Sequence, residues 1–313
     1  MLTFLQAFVL SVTPAHENGV ISFGIQGAVP NSFITVYYSF DGQTPAGKLP
    51  EQAIVDSSGA TRVGPFVVPQ SISAGDILYF KASQRSSIGT NLGLSNGEQV
   101  TISPLPLPLP DAFGISQTSY LMGDHYGVGQ NDEDFVHQVD ISPMALSKTE
   151  VRNDEFSIFL NYGLSTRSLK VINYEVVDSQ GVVLAQLRRA PISPRSDLIF
   201  NGYAIFPAPG KEAHPVVEVS WYGAVAYCDW LTQLSPLNEQ YRLPTEAEWE
   251  LFARDLGLWG YWKYHWAFTN NIDGSYANYG GLVGGTMPVG SYLPNGVDGF
   301  NMMKDMNGNV REW

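Results

Sequence analysis

Cysteine is nearly absent from this chain, since only Cys228 among its 313 residues is a cysteine. A single thiol excludes an intrachain disulfide framework and a metal site built from several cysteines. It also excludes, within these residues, any chemistry that needs a pair of cysteines. Cys228 lies on the apolar face of a predicted helix, where a free cysteine behaves as a small hydrophobic residue. We therefore interpret it as structural rather than as a redox nucleophile.

Basic residues are also scarce. The chain has 17 lysines and arginines against 30 aspartates and glutamates, which gives a net charge of −13. Nucleic acids and anionic membranes bind clustered positive charge, so neither is expected as the main partner. No apolar run reaches the roughly 18 residues of a membrane span, so none is predicted. Acidity with few lysines leans towards an extracytoplasmic, secreted bacterial protein, although the apolar start at residues 1–12 indicates a strand rather than a signal peptide.

The length suggests roughly two domains, and an alternating Pro-Leu segment at residues 104–110 separates them. Its prolines fix φ and remove amide donors, which predicts an extended linker. Residues 1–103 consist of short apolar runs between turn residues and predict an all-β sandwich that serves as an accessory domain. Residues 111–313 predict an α+β domain with much irregular chain. The strands expected in the first part are Phe4–Val12, Val20–Ile25, Ile34–Phe40 and Ile77–Ala82.

Three helices are predicted in the second part, the first over Val151–Asn161. The second covers Trp221–Leu234 after Ser220 as N-cap, with an apolar stripe formed by Trp221, Ala224, Val225, Cys228 and Leu231. The third begins after Thr245, where a Thr-x-x-Glu pattern indicates a capping box with Glu248. Its core-facing residues are expected to be Trp249, Phe252 and Ala253.

Several sequence blocks of the second part occur in an order typical of one family. They include Lys-Thr-Glu-Val at residues 148–151, Val-Ser-Trp at 219–221, Arg-Leu-Pro-Thr-Glu at 242–246 and Asp-Met-Asn-Gly-Asn-Val-Arg-Glu-Trp at 305–313. On these blocks the chain resembles the formylglycine-generating enzyme, or sulfatase-modifying factor, family. The resemblance implies the family's C-type-lectin-like fold, which has little regular structure. Residues 34–45 separately resemble chitobiase-type and fibronectin-like β-domains.

The resemblance has a consequence for catalysis. In catalytic members two cysteines near the C-terminus bind copper and oxidise a cysteine of a target protein to formylglycine. Those cysteines follow the block that ends here at Trp313, so the resemblance implies a C-terminally incomplete domain. We therefore expect copper only if a cysteine pair exists downstream, and we expect these residues alone to be inactive.

The resemblance also implies calcium. Asp305, Gly308, Val310 and Glu312 match one family site and would supply carboxylate and carbonyl oxygens, the ligands that calcium prefers. The alternative is a solvated turn in which Glu312 pairs with Arg242.

A second family calcium site is matched only in part. Asn278 and the carbonyl of Tyr279 correspond to two of its ligands, but residues 280–286 offer no clear match for the carboxylate that would complete it.

Other candidates are weighed on the residues alone. Arg242 and Glu246 could act as an acid–base or anion-binding pair, but a structural ion-pair network at the helix start is favoured. No two of the five histidines lie close enough for a helical metal motif. An aromatic loop could line a ligand groove or pack internally; its candidate groove residues are Trp259, Trp262, Tyr264 and Trp266.

Two main hypotheses of function remain open. The first is a protein like the sulfatase-modifying factors, related to oxidases that act on a protein or peptide but without their cysteine pair in this chain. The second is a non-catalytic, lectin-like protein that binds a surface ligand, a class that includes binders diversified by retroelements. A third is a surface or secreted scaffold in which the β-domain binds.

Overall fold

The structure, a computed structural model, describes residues 9–12, 15–16, 20–40, 43, 46–49, 53–67, 76–86, 91–103, 107–125, 127, 135–189, 195–202, 204–236, 238–254, 274–275, 277–292 and 303–313. The chain divides into two compact units. The first comprises residues 1–106 with 158–171 and 200–205, and the second comprises 107–157, 172–199 and 206–313. The boundaries 1–103, 104–110 and 111–313 stay a prediction.

The described residues up to Ser103 form β-strands separated by turns. Three of the predicted strands are confirmed within a few residues, and the first is confirmed at its C-terminal end, because residues 4–8 lie outside the described part of the chain. The strands are β1 (Val9–Val12), β2 (Ala15–His16), β3 (Val20–Gln26), β4 (Phe33–Ser39), β5 (Gly47–Lys48), β6 (Ala53–Ile54), β7 (Thr61–Val67), β8 (Ile77–Arg85) and β9 (Asn91–Ser103).

These strands form two sheets that share an apolar core. One sheet has the order β1-β3-β7, and the other has the order β2-β9-β8-β4-β5, with β6 also paired to β4. Val36 of β4 lies opposite Ala82 of β8, and both side chains are buried. Phe23 of β3 contacts Phe80 of β8 edge to face, with ring centroids 5.0 Å apart. Side chains from both sheets therefore stabilise one core by excluding water.

The remaining described chain contains short strands and three helices. The elements are β10 (Ala112–Ile115), β11 (Thr118–Met122), β12 (His137–Ile141), β13 (Met144–Ser147), α1 (Asn153–Ser165), β14 (Lys170–Ile172), β15 (Glu175–Val177), β16 (Val183–Gln186), β17 (Leu198–Phe200), β18 (Ile205–Pro207), α2 (Trp221–Leu234) and α3 (Glu246–Ala253). β10 pairs with β13, β11 with β12 and β15 with β16, each antiparallel. None of these described helices is long and apolar enough to cross a bilayer.

Helix α1 begins two residues later than predicted and extends one turn further. Its first amides are satisfied from outside the helix, since Asn153 N donates to the His214 carbonyl at 2.9 Å and Asp154 N donates to the Glu212 carbonyl at 3.1 Å. These partners take the place of a side-chain cap. The sequence places Val151, Phe156, Phe159 and Leu160 mostly on one side. The last three are buried, whereas Val151 precedes the helix and is only partly buried.

Helix α2 has the predicted bounds and the predicted cap, because Ser220 Oγ accepts from Gly223 N at 3.1 Å. Its apolar stripe was assigned wrongly. Trp221 is 49% exposed, and of the five predicted stripe residues only Leu231 is buried. The helix is rotated because Gly223 lies against β16, where a Cβ would stand 2.1 Å from the Leu184 carbonyl. The buried face consists of Gly223, Tyr227, Trp230 and Leu231.

Helix α3 confirms the capping box. Glu248 N donates to Thr245 Oγ1 at 3.3 Å, and Thr245 N donates to Glu248 Oε2 at 2.8 Å. Phe252 is fully buried in a cluster with Met303 and Met306, against which Trp249 and Ala253 pack. The helix thereby holds the C-terminal segment 303–313, which carries the candidate site.

Candidate functional site

The segment 303–313 is a tight turn that only glycine permits at its centre. Asp305 and Asn309 both have a left-handed backbone, with φ of +62° and +61°. Gly308 N donates to the Asp305 carbonyl at 3.1 Å. A Cβ on Gly308 would stand 2.4 Å from the Asn278 carbonyl oxygen, closer than atoms pack. Gly308 therefore allows this turn to lie directly on Asn278.

Asn309 joins the turn to three other parts of the chain. Its main-chain N donates to the Asn278 carbonyl at 2.7 Å. Its side-chain oxygen accepts from Met287 N at 2.8 Å, and its amide nitrogen donates to Glu150 Oε1 at 3.0 Å. Since the same nitrogen also donates to the Met287 carbonyl at 3.2 Å, the side chain is well satisfied. Asn309 thus positions Glu150 beside the turn.

Three carboxyl groups lie near this turn and influence one another electrostatically, those of Glu150, Asp305 and Glu312. Asp305 Oδ2 accepts from Gly290 N. Glu312 Oε2 accepts from the indole Nε1 of Trp249 at 2.8 Å. Glu150 Oε2 is buried and accepts no hydrogen bond. A buried acceptor without a donor is costly, so this oxygen requires a proton, a water molecule or a cation nearby.

The raised pKa values of the three carboxyl groups also indicate that a proton or a cation is needed here. Burial, and then the charge of Asp305, raise the pKa of Glu150 to about 8. Burial also raises the pKa of Asp305, although the Gly290 amide and a hydrogen bond with the Glu150 carboxyl group act in the opposite direction. Such a bond between two carboxyl groups needs a proton on one of them. Glu312 is exposed as a residue, yet the protein atoms around its carboxyl group, and then the charge of Asp305, raise its pKa. Like charges that are shielded from water favour uptake of a proton or of a cation.

The side-chain oxygens at this turn are of the kind that binds calcium, but there are too few of them to complete a site. The orphan oxygen of Glu150 and the carboxylates of Asp305 and Glu312 are hard oxygen ligands. In the described part of the chain, however, no three acidic, histidine or cysteine side chains lie close enough to hold a metal by themselves. A cation here would therefore also need backbone carbonyls. The predicted ones, of Gly308 and Val310, belong to the same turn.

Asn278 and Tyr279, which match part of the second family calcium site, lie beside the turn that carries the first predicted site. Asn278 is buried, and its amide Nδ2 donates to the Gly285 carbonyl at 2.8 Å. The Tyr279 carbonyl accepts from Leu282 N at 3.1 Å. The structure thus brings all six predicted calcium residues to one region.

Arg242 pairs differently from either prediction. Its guanidinium donates to both carboxylate oxygens of Glu248, at 2.7 and 2.6 Å. This pairing, together with the Thr245 amide, lowers the pKa of Glu248 to about 2. The proposed partners Glu246 and Glu312 were wrong, because Glu248 points back across the helix start towards Arg242. The pair stabilises the entry of α3, as the structural interpretation held.

The remaining candidates have simpler outcomes. Cys228 is partly buried, and burial, followed by the charge of Asp229, raises the pKa of its thiol to about 11. His214 is buried, with Thr286 Oγ1 at 2.9 Å and Lys211 Nζ at 3.3 Å from its Nδ1. The candidate groove residues lie outside the described residues, and their role stays a prediction; they are Trp259, Trp262, Tyr264 and Trp266.

Sequence reasoning missed two residues of the site. Glu150 stands 155 positions before Asp305, so no local pattern joins them. Asn309 is not among the predicted site residues, although asparagine in a left-handed turn beside glycine commonly bonds to nearby backbone. The one local indication for Glu150 is that an acidic residue stands in the family-like block Lys-Thr-Glu-Val, just before a predicted helix.

The fold and the acidic turn define a class of protein. Residues 101–313 match the family described as the sulfatase-modifying factor enzyme 1-like domain. The match covers more than half of the chain, so the chain belongs to this family. The described part of the chain consists mostly of β-strands with few helices, which is consistent with the C-type-lectin-like fold of this family.

Relatives with assigned names fall into three kinds. Serine/threonine-protein kinase Pkn1 of Chlamydia trachomatis serovar L2 is 33% identical over 218 residues, which are 69% of this chain and 29% of the kinase. Formylglycine-generating enzyme of Streptomyces coelicolor is 32% identical, over 62% of this chain and 65% of the enzyme. Inactive C-alpha-formylglycine-generating enzyme 2 of Bos taurus is 29% identical, over 72% of this chain and 73% of that protein. The chain thus spans under a third of the kinase and just under two thirds of the Streptomyces enzyme.

Proposed function

We propose that these residues form a sulfatase-modifying-factor-like domain that binds a protein or peptide and performs no thiol oxidation of its own. The observation that carries the proposal is the state of Cys228. A thiol with a pKa of about 11 stays protonated near neutral pH. Because the thiolate is the nucleophile and the metal ligand, Cys228 is a poor candidate for either role.

The names of the relatives support a domain that serves more than one purpose. One relative is named a formylglycine-generating enzyme and another an inactive form of it. The match to part of Pkn1 places a similar domain within a protein named as a kinase. A family with both kinds of member supports binding as the shared property. Copper enters the proposal only if the whole protein carries a cysteine pair beyond Trp313.

We also propose that calcium stabilises the acidic turn. Asp305 and Glu312 would supply carboxylates, and Gly308 and Val310 would supply carbonyls. Glu150 joins them, because its buried Oε2 has no hydrogen-bond donor. The ion would neutralise carboxyl groups whose pKa values are raised by burial and by one another.

The alternative function is that of a lectin-like protein that binds a surface ligand. Two exposed aromatic side chains at the start of α2 suit such a role, since aromatic rings combine contact area with a polar edge. They are Trp221 and Tyr222, which are 49% and 59% exposed. The N-terminal strands would then form a β-sandwich accessory domain.

A peptide assay tests the main proposal. The protein is incubated with copper, oxygen and a peptide that carries a sulfatase cysteine motif, and the products are measured by mass spectrometry. We expect no formylglycine, while the Streptomyces enzyme provides the positive control. Formylglycine that disappears with Cys228→Ala would overturn the proposal, because the single thiol would then be catalytic.

The binding half of the proposal needs its own measurement. The same peptide with serine in place of cysteine is titrated onto the immobilised protein. Saturable binding at micromolar to millimolar concentration is expected. Absence of binding would remove the peptide as partner and favour the surface-ligand alternative.

A further inference from the structure

The loop from Asn278 to Thr286 contains no acidic residue, and its backbone is closed on itself. Its sequence is Asn-Tyr-Gly-Gly-Leu-Val-Gly-Gly-Thr, and the next residues up to Ser291 also lack aspartate and glutamate. Leu282 N donates to the Tyr279 carbonyl, and Gly284 N donates to the Gly281 carbonyl, both at 3.1 Å. Gly280, Gly281 and Gly284 make this possible because they adopt positive φ of 59°, 77° and 75°. The Tyr279 carbonyl, one of the two family ligand positions, therefore already accepts one hydrogen bond within the loop.

At the other ligand position, the side-chain nitrogen of Asn278 faces the neighbouring oxygens. Asn278 is 7% exposed, and its Nδ2 lies 2.8 Å from the Gly285 carbonyl oxygen and 3.3 Å from Asn309 Oδ1. A carbonyl oxygen can only accept, so the group that faces Gly285 must be the amide nitrogen. The main-chain carbonyl of Asn278 accepts from Asn309 N at 2.7 Å. The amide group of Asn278 thus stands among oxygens, where its two N–H dipoles supply partial positive charge.

Calcium does not fit this arrangement. It takes six to eight oxygen ligands, commonly with at least one carboxylate. Here the carboxylate is missing from the loop, the Tyr279 carbonyl is hydrogen-bonded, and the Asn278 side chain directs its nitrogen towards the neighbouring oxygens. We propose that Asn278 closes this loop by hydrogen bonds in place of a calcium ion, so that this part of the chain binds no calcium.

The proposal departs from the expectation that Asn278 and Tyr279 are metal ligands, and it is tested separately from the proposed calcium at Asp305 and Glu312. It also predicts a way to restore ion dependence. Asn278→Asp replaces the donor by a carboxylate that faces the Gly285 carbonyl and Asn309 Oδ1. Three oxygens would then repel one another unless a cation lies between them.

The test combines calcium stoichiometry with thermal unfolding of the whole chain. Calcium bound per chain is measured by equilibrium dialysis for the wild type and for Asn278→Ala. Tm is measured for both proteins and for Asn278→Asp, in chelator and in millimolar calcium. We expect at most one calcium in the wild type, and the same number in Asn278→Ala. The alanine variant should lose about 4–8 °C in Tm equally under both conditions.

The outcomes separate the two calcium claims. Two ions in the wild type, with one lost in Asn278→Ala, would overturn the inference, as would a loss of Tm confined to calcium. No bound calcium at all would reject the ion at Asp305 and Glu312 while supporting the inference about Asn278. Asn278→Asp should have a lower Tm than the wild type in chelator. Addition of calcium should raise the Tm of Asn278→Asp by more than it raises the Tm of the wild type. Equal stability of Asn278→Asp and wild type in chelator would refute the donor role.

Discussion

Glu150→Gln distinguishes two ways in which the negative charge of the acidic turn can be neutralised, namely uptake of a proton and binding of a calcium ion. The substitution keeps the size of the side chain and the acceptor that bonds to Asn309 Nδ2. At the other position it replaces the orphan Oε2 by an amide nitrogen, which can donate to Asp305. Without calcium, the variant therefore removes a buried acceptor that has no donor and one of three mutually repelling charges.

The expected magnitude follows from that geometry. A buried polar group without a partner costs about 1–3 kcal/mol, so Glu150→Gln should raise the free energy of unfolding in chelator by about 1–2 kcal/mol. For a unit of this size, that corresponds to about 2–8 °C in Tm. Calcium at 100 times its Kd stabilises the wild type by about 2.7 kcal/mol. The variant lacks one carboxylate ligand and should gain much less, so the order of stability reverses when calcium is added.

The pH dependence of the calcium-free wild type supports the same test. A carboxyl group whose pKa is higher in the folded than in the unfolded state does not lower the free energy of unfolding below its ordinary pKa. As the pH rises from that value to the folded pKa, it lowers the free energy of unfolding more and more. Stability in chelator should thus fall from about pH 4.5 to about pH 8, the folded pKa of Glu150. Glu150→Gln should flatten that fall.

Differential scanning calorimetry of both proteins, with chelator and with calcium, is the measurement. Asp229→Asn is the matched control, because it makes the same acid-to-amide change at an exposed position of α2. It should be nearly neutral and equally responsive to calcium. A lower Tm of Glu150→Gln in chelator would refute the electrostatic argument, and identical calcium responses in all three proteins would refute Glu150 as a ligand.

Three further predictions concern the surroundings of the turn. Gly308→Ala should destabilise by roughly 2 kcal/mol or more, because its Cβ would meet main chain at 2.4 Å, whereas Gly285→Ala, with open space, should be nearly neutral in chemical denaturation. Glu248→Gln should cost about 1–2 kcal/mol near neutral pH, and the difference from wild type should vanish as the pH falls from about 4.5 towards the folded pKa of about 2; a constant difference would contradict the pairing with Arg242. Burial and Lys211 lower the pKa of His214, so wild-type Tm should fall relative to His214→Gln below about pH 6.5, and parallel curves would count against it.

The parts predicted well are those that local chemistry decides. Ser220 and Thr245 fix the starts of α2 and α3 because each side chain satisfies an amide three residues later. Runs of apolar and β-branched residues similarly indicate β4 and β8, which contribute Ile34, Val36, Leu78, Phe80 and Ala82 to one core. In each case the information lies within a few consecutive residues.

The parts predicted poorly depend on contacts between distant residues. The rotation of α2 follows from Gly223 lying against Leu184, which the helix's own hydrophobic pattern does not contain. Arg242 selects Glu248 over Glu246 because the capping box directs Glu248 back towards the start of the helix. Long irregular loops carry no period, so their partners become visible only when the chain is folded.

Asn309 joins distant parts of the chain at the acidic turn, where calcium is proposed to bind. Its side chain connects Glu150, three residues before α1, with Met287 in a loop more than a hundred residues later and with the turn itself. Such long-range bonds order residues whose entropy would otherwise oppose folding. They also force carboxyl groups together, which has an electrostatic cost unless a proton or a cation balances the charge. If calcium binds as proposed, the turn should therefore hold the C-terminal segment 303–313 more firmly with the ion than without it.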